Sequence, residues 1–132
     1  MPKTQPLIAV LDNEPEMRKA LRRLLSCCGF RVEEYASGDE FLEALDLHTP
    51  DCLLLDLHMP ELNGFEILEA FRSRRVSVAV VVITAHDEPG TSERVDTLGA
   101  SACLRKPVDR DVLLSAISEA IAGAKNNDRE KR

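Results

Sequence analysis

Cys52-Leu53-Leu54-Leu55-Asp56-Leu57-His58-Met59-Pro60-Glu61-Leu62-Asn63-Gly64 is the stretch on which the fold turns. It opens on an unbroken apolar run, the pattern of a strand covered on both faces, as in a parallel sheet packed between helices. Pro60 has no amide to give to a ladder, so the strand ends before it, and Asn63-Gly64 marks a second break. Asp56 is thereby delivered to the carboxyl end of a buried strand. That is the edge at which open α/β sheets hold their ligands.

The flanking segments repeat the theme. Leu7 to Leu11 reads as a first buried strand, and from Glu14 the period changes to helix, with Met17, Leu21, Leu24, Leu25 and Cys28 three and four apart and Gly29 as a stop. Phe30 to Tyr35 carries Arg31, Glu33 and Glu34, the polarity of a sheet edge. Ser37 caps a helix through Phe41, Leu42 and Leu45, with Glu40 placed to complete a capping box. After Asn63-Gly64 a helix presents Ile67, Leu68 and Phe71, and the β-branched run Val78 to Thr84 reads as a central strand. Pro89-Gly90 marks a loop, Thr91 or Ser92 starts a short helix with Val95 and Leu98, and Gly99 ends it. Ala102 to Leu104 is a last short strand. Asp109 caps a helix through Leu113, Ala116, Ile117, Ala120 and Ile121, and the residues from Lys125 onward read as a polar tail.

Five strands thus alternate with five helices, which predicts a doubly wound parallel sheet with right-handed crossovers. The 132 residues suit a single core over 7–122, followed by a charged tail or truncated linker over 123–132. The net charge of −6 argues against a nucleic-acid-binding surface, and Arg18, Lys19, Arg22 and Arg23 read as a solvated helix face. No apolar run approaches membrane-spanning length and the first residues lack the pattern of a signal peptide, so the expected compartment is the cytoplasm. Cys27, Cys28, Cys52 and Cys103 show no metal-ligand spacing and read as free thiols.

Polar residues close four of the strands: Asp12-Asn13-Glu14, Asp56, Thr84 and Lys106. Each has a bland explanation as a cap, a strand end or a solvated charge. In a parallel sheet, however, all four fall on one edge.

On these residues the chain resembles the receiver domain of bacterial two-component response regulators, and is similar to the FixJ subfamily. The matching motifs are Val10-Leu11-Asp12-Asn13-Glu14-Pro15, Asp56-Leu57-His58-Met59-Pro60 with Gly64, Ile83-Thr84-Ala85 and Lys106-Pro107. The resemblance implies the flavodoxin-like strand order 2-1-3-4-5. It also implies a phosphoryl switch that assists its own chemistry but is no enzyme. In that role Asp56 takes the phosphoryl group from a histidine kinase or phosphotransfer protein, Thr84 and the Ala85 backbone amide hold its oxygens, and Lys106 pairs with another. Mg²⁺ is implied as cofactor, held by Asp12, Asn13, Asp56 and the backbone carbonyl of His58. A homodimer through the 91–122 face is a further expectation.

The chain also departs from the family. Asn13 replaces the usual metal-binding aspartate, which predicts weak Mg²⁺ binding, with Glu14 a poorly placed substitute. Cys103 stands where receivers carry Tyr or Phe, so the aromatic switch is lost, and Val108 replaces a common Phe. His58 and His86 occupy positions that tune phosphoryl lifetime, or are simply exposed loop residues. The competing reading is a non-phosphorylated receiver that serves as a protein-protein docking module. A cobalamin-type Asp-x-His motif fits poorly, because Glu61 stands where it needs Gly, and a phosphatase would want a second acid at His58.

Overall fold

The computed structural model describes residues 5–85 and 88–130, the last six by backbone alone. Alternation along the buried strands organises the chain. Strand β1 (Leu7–Leu11) sends Ala9 and Leu11 to one face and Ile8 and Val10 to the other. β3 (Cys52–Asp56) does the same with Leu53 and Leu55 against Cys52 and Leu54. β4 (Ala79–Thr84) follows with Val80 and Val82 against Val81 and Ile83. A strand with two apolar faces needs helices on both sides, and the sequence supplies them.

Helices α2 (Gly38–Leu45), α3 (Gly64–Arg74) and α4 (Thr91–Thr97) cover the first face with Phe41, Ile67, Leu68, Phe71 and Val95. Helices α1 (Pro15–Cys27) and α5 (Arg110–Glu130) cover the second with Leu21, Leu25, Leu113 and Ile117. β2 (Arg31–Tyr35) and β5 (Ala102–Arg105) complete a five-stranded sheet in the order β2-β1-β3-β4-β5, parallel throughout. The expected doubly wound, flavodoxin-like fold is therefore found, with the half-buried β2 at one edge.

Local chemistry fixes the element ends. Gly29, at φ +91°, closes α1, and the Phe30 amide returns to the Leu25 carbonyl. Phe30 therefore lies just outside β2 and packs on the α1/α5 side. The Ser37 hydroxyl accepts the Glu40 amide at 3.3 Å, as a cap should, but the Glu40 carboxylate meets that hydroxyl at 3.4 Å and not the Ser37 amide. The reciprocal box forms instead at α3: Glu66 N–H donates to Asn63 Oδ1 and Asn63 N–H to Glu66 Oε1, each at 3.0 Å. Asn63 is thus a helix cap as well as a break. Asp109 accepts the Val112 amide at 3.1 Å and caps α5.

Two helix ends stand out. α3 stops at Arg75 in the left-handed region (φ 56°, ψ 40°), where glycine is usual because a Cβ is penalised by about 1–2 kcal/mol. α5 continues to Glu130, past the polar tail read from Lys125 and without a break at 123. The sequence of its last turns, with Asn126, Asn127 and Asp128, has no apolar period to announce them. No helix among the described residues is long and apolar enough to cross a membrane.

Candidate functional site

The carboxyl edge of the sheet gathers residues that lie far apart in the chain. β1 and β3 are neighbours, so Asp12, just past β1, comes beside Asp56 at the end of β3. Asp12, Asp56 and Thr84 are each at most 4% exposed, and they are the buried polar or charged residues of the described chain. Lys106 is brought in from β5, where its amide donates to the Thr84 carbonyl at 2.8 Å. Its Nζ lies 3.0 Å from Asp12 Oδ2, 3.3 Å from Glu14 Oε1 and 3.8 Å from Asp56 Oδ1. The Lys106–Pro107 peptide that follows is cis.

Three acids facing one lysine set the electrostatics. Burial, and then the charge of Asp12, push the Asp56 carboxyl up to about 6, against the opposing pull of Lys106. Burial works against the Lys106 ammonium, but its hydrogen bond to Asp12 and the charges of Asp56 and Asp12 outweigh it and hold its pKa above the ordinary value. Asp12 is further fixed by the Glu14 amide, which donates to its Oδ1 at 2.9 Å, while Arg18 Nη1 donates to the Asp12 carbonyl at 2.6 Å.

The loop after Asp56 is shaped by burial. Leu57 and Met59 turn into the core, while His58 and Pro60 are exposed. The His58 amide donates to Asp56 Oδ1 at 3.3 Å. Gly64 permits the close approach of α3: its amide reaches the Leu57 carbonyl at 3.1 Å, and a Cβ there would sit 2.8 Å from the Leu57 Cα. The carbonyl of His58 lies on this pinned loop.

Oxygen donors suit a hard divalent cation. Asp12, Glu14 and Asp56 each place a carboxylate oxygen within 4.8 Å of the others, a set able to hold Mg²⁺. Glu14 is therefore well placed, which corrects its reading as a poor substitute. It precedes Pro15 at the entry to α1, and that turn folds its carboxylate back toward Lys106. The hint in the sequence was an acid two residues after Asp12 and just before a helix-starting proline. Asn13 lies exposed in the same turn, and Ala85 is exposed directly after Thr84. Cys103 is half-buried beside Val82 and packs against the α2/α3/α4 side of the core. His86 lies outside the described residues.

A doubly wound sheet with an acidic pocket and a lysine at its carboxyl edge is consistent with a phosphoacceptor signalling module. The chain belongs to the response regulator receiver domain family, whose pattern matches residues 8–118. It is 38% identical over 125 residues to response regulator MprA of Mycobacterium ulcerans, covering 93% of this chain and 53% of that protein. It is 28% identical over 131 residues to transcriptional regulatory protein FixJ of Azorhizobium caulinodans, covering 99% and 62%. A receiver domain protein structure from Clostridium thermocellum superposes with a TM-score of 0.83 at 30% identity, covering 91% of this chain and 97% of that one. The chain spans about half the length of MprA and less than two thirds of FixJ.

Proposed function

We propose that this chain is the phosphoacceptor of a two-component system, with Asp56 as the residue that takes the phosphoryl group. The observation that carries the reading is Lys106 Nζ set among the oxygens of Asp12, Glu14 and Asp56 at the carboxyl edge of a parallel sheet. An Asp56 carboxylate oxygen attacks the phosphorus of an N-phosphohistidine on a histidine kinase or phosphotransfer protein. An O–P bond forms, the P–N bond breaks, and the imidazole leaves with the electron pair and takes up a proton. Lys106 balances charge on the incoming oxygens, while the Thr84 hydroxyl and the Ala85 amide hold the others.

Bound Mg²⁺ would supply charge neutralisation between the carboxylates and the phosphoryl group. Asp12, Asp56, Asn13 and the His58 carbonyl are the ligands we propose, with Glu14 adding the charge that Asn13 lacks. Receiver domains interact with histidine kinases, and the cytoplasm is the compartment in which we place this one. FixJ is a transcriptional regulatory protein, and for a longer protein containing this chain we propose control of an output segment of that kind. The receiver itself occupies 7–122 in this reading, with 123–132 leading onward. Self-association through the 91–122 face would couple the two.

A second reading, a docking module that is never phosphorylated, is favoured by Asn13 and Cys103. Acetyl phosphate with Mg²⁺, followed by intact mass, separates them. A gain of one phosphoryl group that disappears in Asp56→Asn supports the switch, and no gain supports the docking module. His58 and His86 are proposed to tune phosphoryl lifetime, and a lifetime unchanged in the double alanine variant removes them from that role.

A further inference from the structure

At the opposite edge of the sheet from Asp56, a groove of about 520 Å³ opens between the end of α3, the start of β4, the turn before β5 and the later part of α5. Phe71, Val76, Val78 and Leu98 make its apolar floor, and Arg72 and Arg75 stand on its rim. No acidic residue among the described residues lines it, although Asp and Glu number 23 in the chain against 17 Lys and Arg. A volume of several hundred Å³, an apolar floor and a few polar groups are the usual makings of a recognition site.

The arginines are only partly explained by the helix that carries them. Cations in a last helical turn answer the negative end of its dipole, which accounts for Arg72 and Arg74. Arg74 is engaged outward with Asp46 at 3.6 Å, whereas Arg72 and Arg75 have no carboxylate partner among the described residues. Arg75 is also the one described non-glycine residue at positive φ, where glycine or asparagine would sit with less strain. Strain held at a particular side chain is a pointer to its use. Ser77 and Ser101 add exposed hydroxyls to the same lining.

We propose that this groove docks a short acidic segment of a partner protein, with one apolar side chain seated between Phe71, Val76 and Leu98 and its carboxylates on Arg72 and Arg75. Charge complementarity selects the occupant: Arg72 and Arg75, without a carboxylate partner among the described residues, line a groove that holds no described acid. The site lies apart from the phosphoacceptor pocket and does not depend on phosphorylation, so both edges can be occupied together.

Selection of a displayed random peptide library on the whole chain tests the proposal. Recovered peptides should carry at least two Asp or Glu residues around a Leu, Ile or Phe, and the best of them, made synthetically, should shift the methyl signals of Val76, Val78 and Leu98. Its affinity should fall about tenfold or more in R72E/R75E and severalfold in Arg75→Gly. The glycine variant relieves the left-handed backbone, so its loss of binding is not a failure to fold. Peptides without acidic bias, no enrichment, signals shifting elsewhere, or unchanged affinity in both variants would each overturn the proposal. Self-association of the chain alone, abolished by R72E/R75E, would give the groove to a second copy and overturn it equally.

Discussion

Asp56 shows how a fold loads a single residue. Its carboxyl has an ordinary value near 3.8 and stands at about 6 in the folded pocket, through burial and the charge of Asp12. Between those values the folded chain holds a proton that the unfolded chain has released. The penalty of the ionised form is therefore fully present above about 6, and is relieved as the pH falls toward 4. Asp56→Asn removes it. In EDTA-containing buffer at about pH 7.5 the variant should be roughly 1–3 kcal/mol more stable than the native chain, with the gap narrowing by about pH 5. A gap in urea midpoints that stays level across that range refutes the account. The metal makes a second claim on these residues. A carboxylate at 4 Å from a charge gains about 4 kcal/mol at an effective dielectric near 20, most of it offset by desolvation. Asn13→Asp should therefore tighten Mg²⁺ binding about fivefold, and Glu14→Gln should loosen it by a similar factor. Titration calorimetry that finds equal affinities in all three proteins would dismiss both charges from the site. Asp56, Thr84 and Lys106 were legible in the sequence because strand ends on a parallel sheet share one edge. Glu14 was legible at the same edge, but its approach to Lys106 was not, because that depends on how the chain turns into α1.

At the scale of the element, the segment from Leu57 to Glu66 is a hinge between sheet and helix. Asn63-Gly64 reads in sequence as a turn, since both residues are turn formers, although Glu66 three residues after Asn63 also has the spacing of a capping box. The structure gives each residue its own task. Asn63→Ala removes one arm of the capping box and should lower stability by about 1–2 kcal/mol while sparing the pocket. Gly64→Ala places a methyl 2.8 Å from the Leu57 Cα, against backbone that cannot swing aside. It should lower stability by roughly 2–4 kcal/mol and impair phosphoryl uptake as well, because it pushes on the loop that begins at Asp56. Thermal melts and intact-mass assays on the two variants check this. Equal phosphoryl uptake in Gly64→Ala and the native chain would show that the loop tolerates the shift. α5 shows the opposite limit of legibility: its apolar stripe ends near Ile121, so its run to Glu130 has no signal in the hydrophobic period.

For the whole molecule, the alternation of five strands with five helices specified the class of fold, and the family resemblance specified the strand order. The two apolar sides follow from residue parity along β1, β3 and β4, which a reader of sequence can mark in advance. The groove under Arg75 could not be marked, since it needs four segments meeting at one edge and a backbone conformation that no residue code announces. Parallel topology has a temporal side too. The bond from Lys106 to Asp12 spans 94 residues, so the two sides of the acceptor pocket leave the ribosome well apart in time. A growing chain holds both aspartates long before β5 leaves the ribosome, yet it has no lysine to set between them. Stalled chains ending before Lys106 should take up no phosphoryl group from acetyl phosphate, whereas released full chains should; labelling of the stalled chains would contradict this. The last strand thus certifies the sheet, and a donor that finds the pocket competent has found all five strands in place.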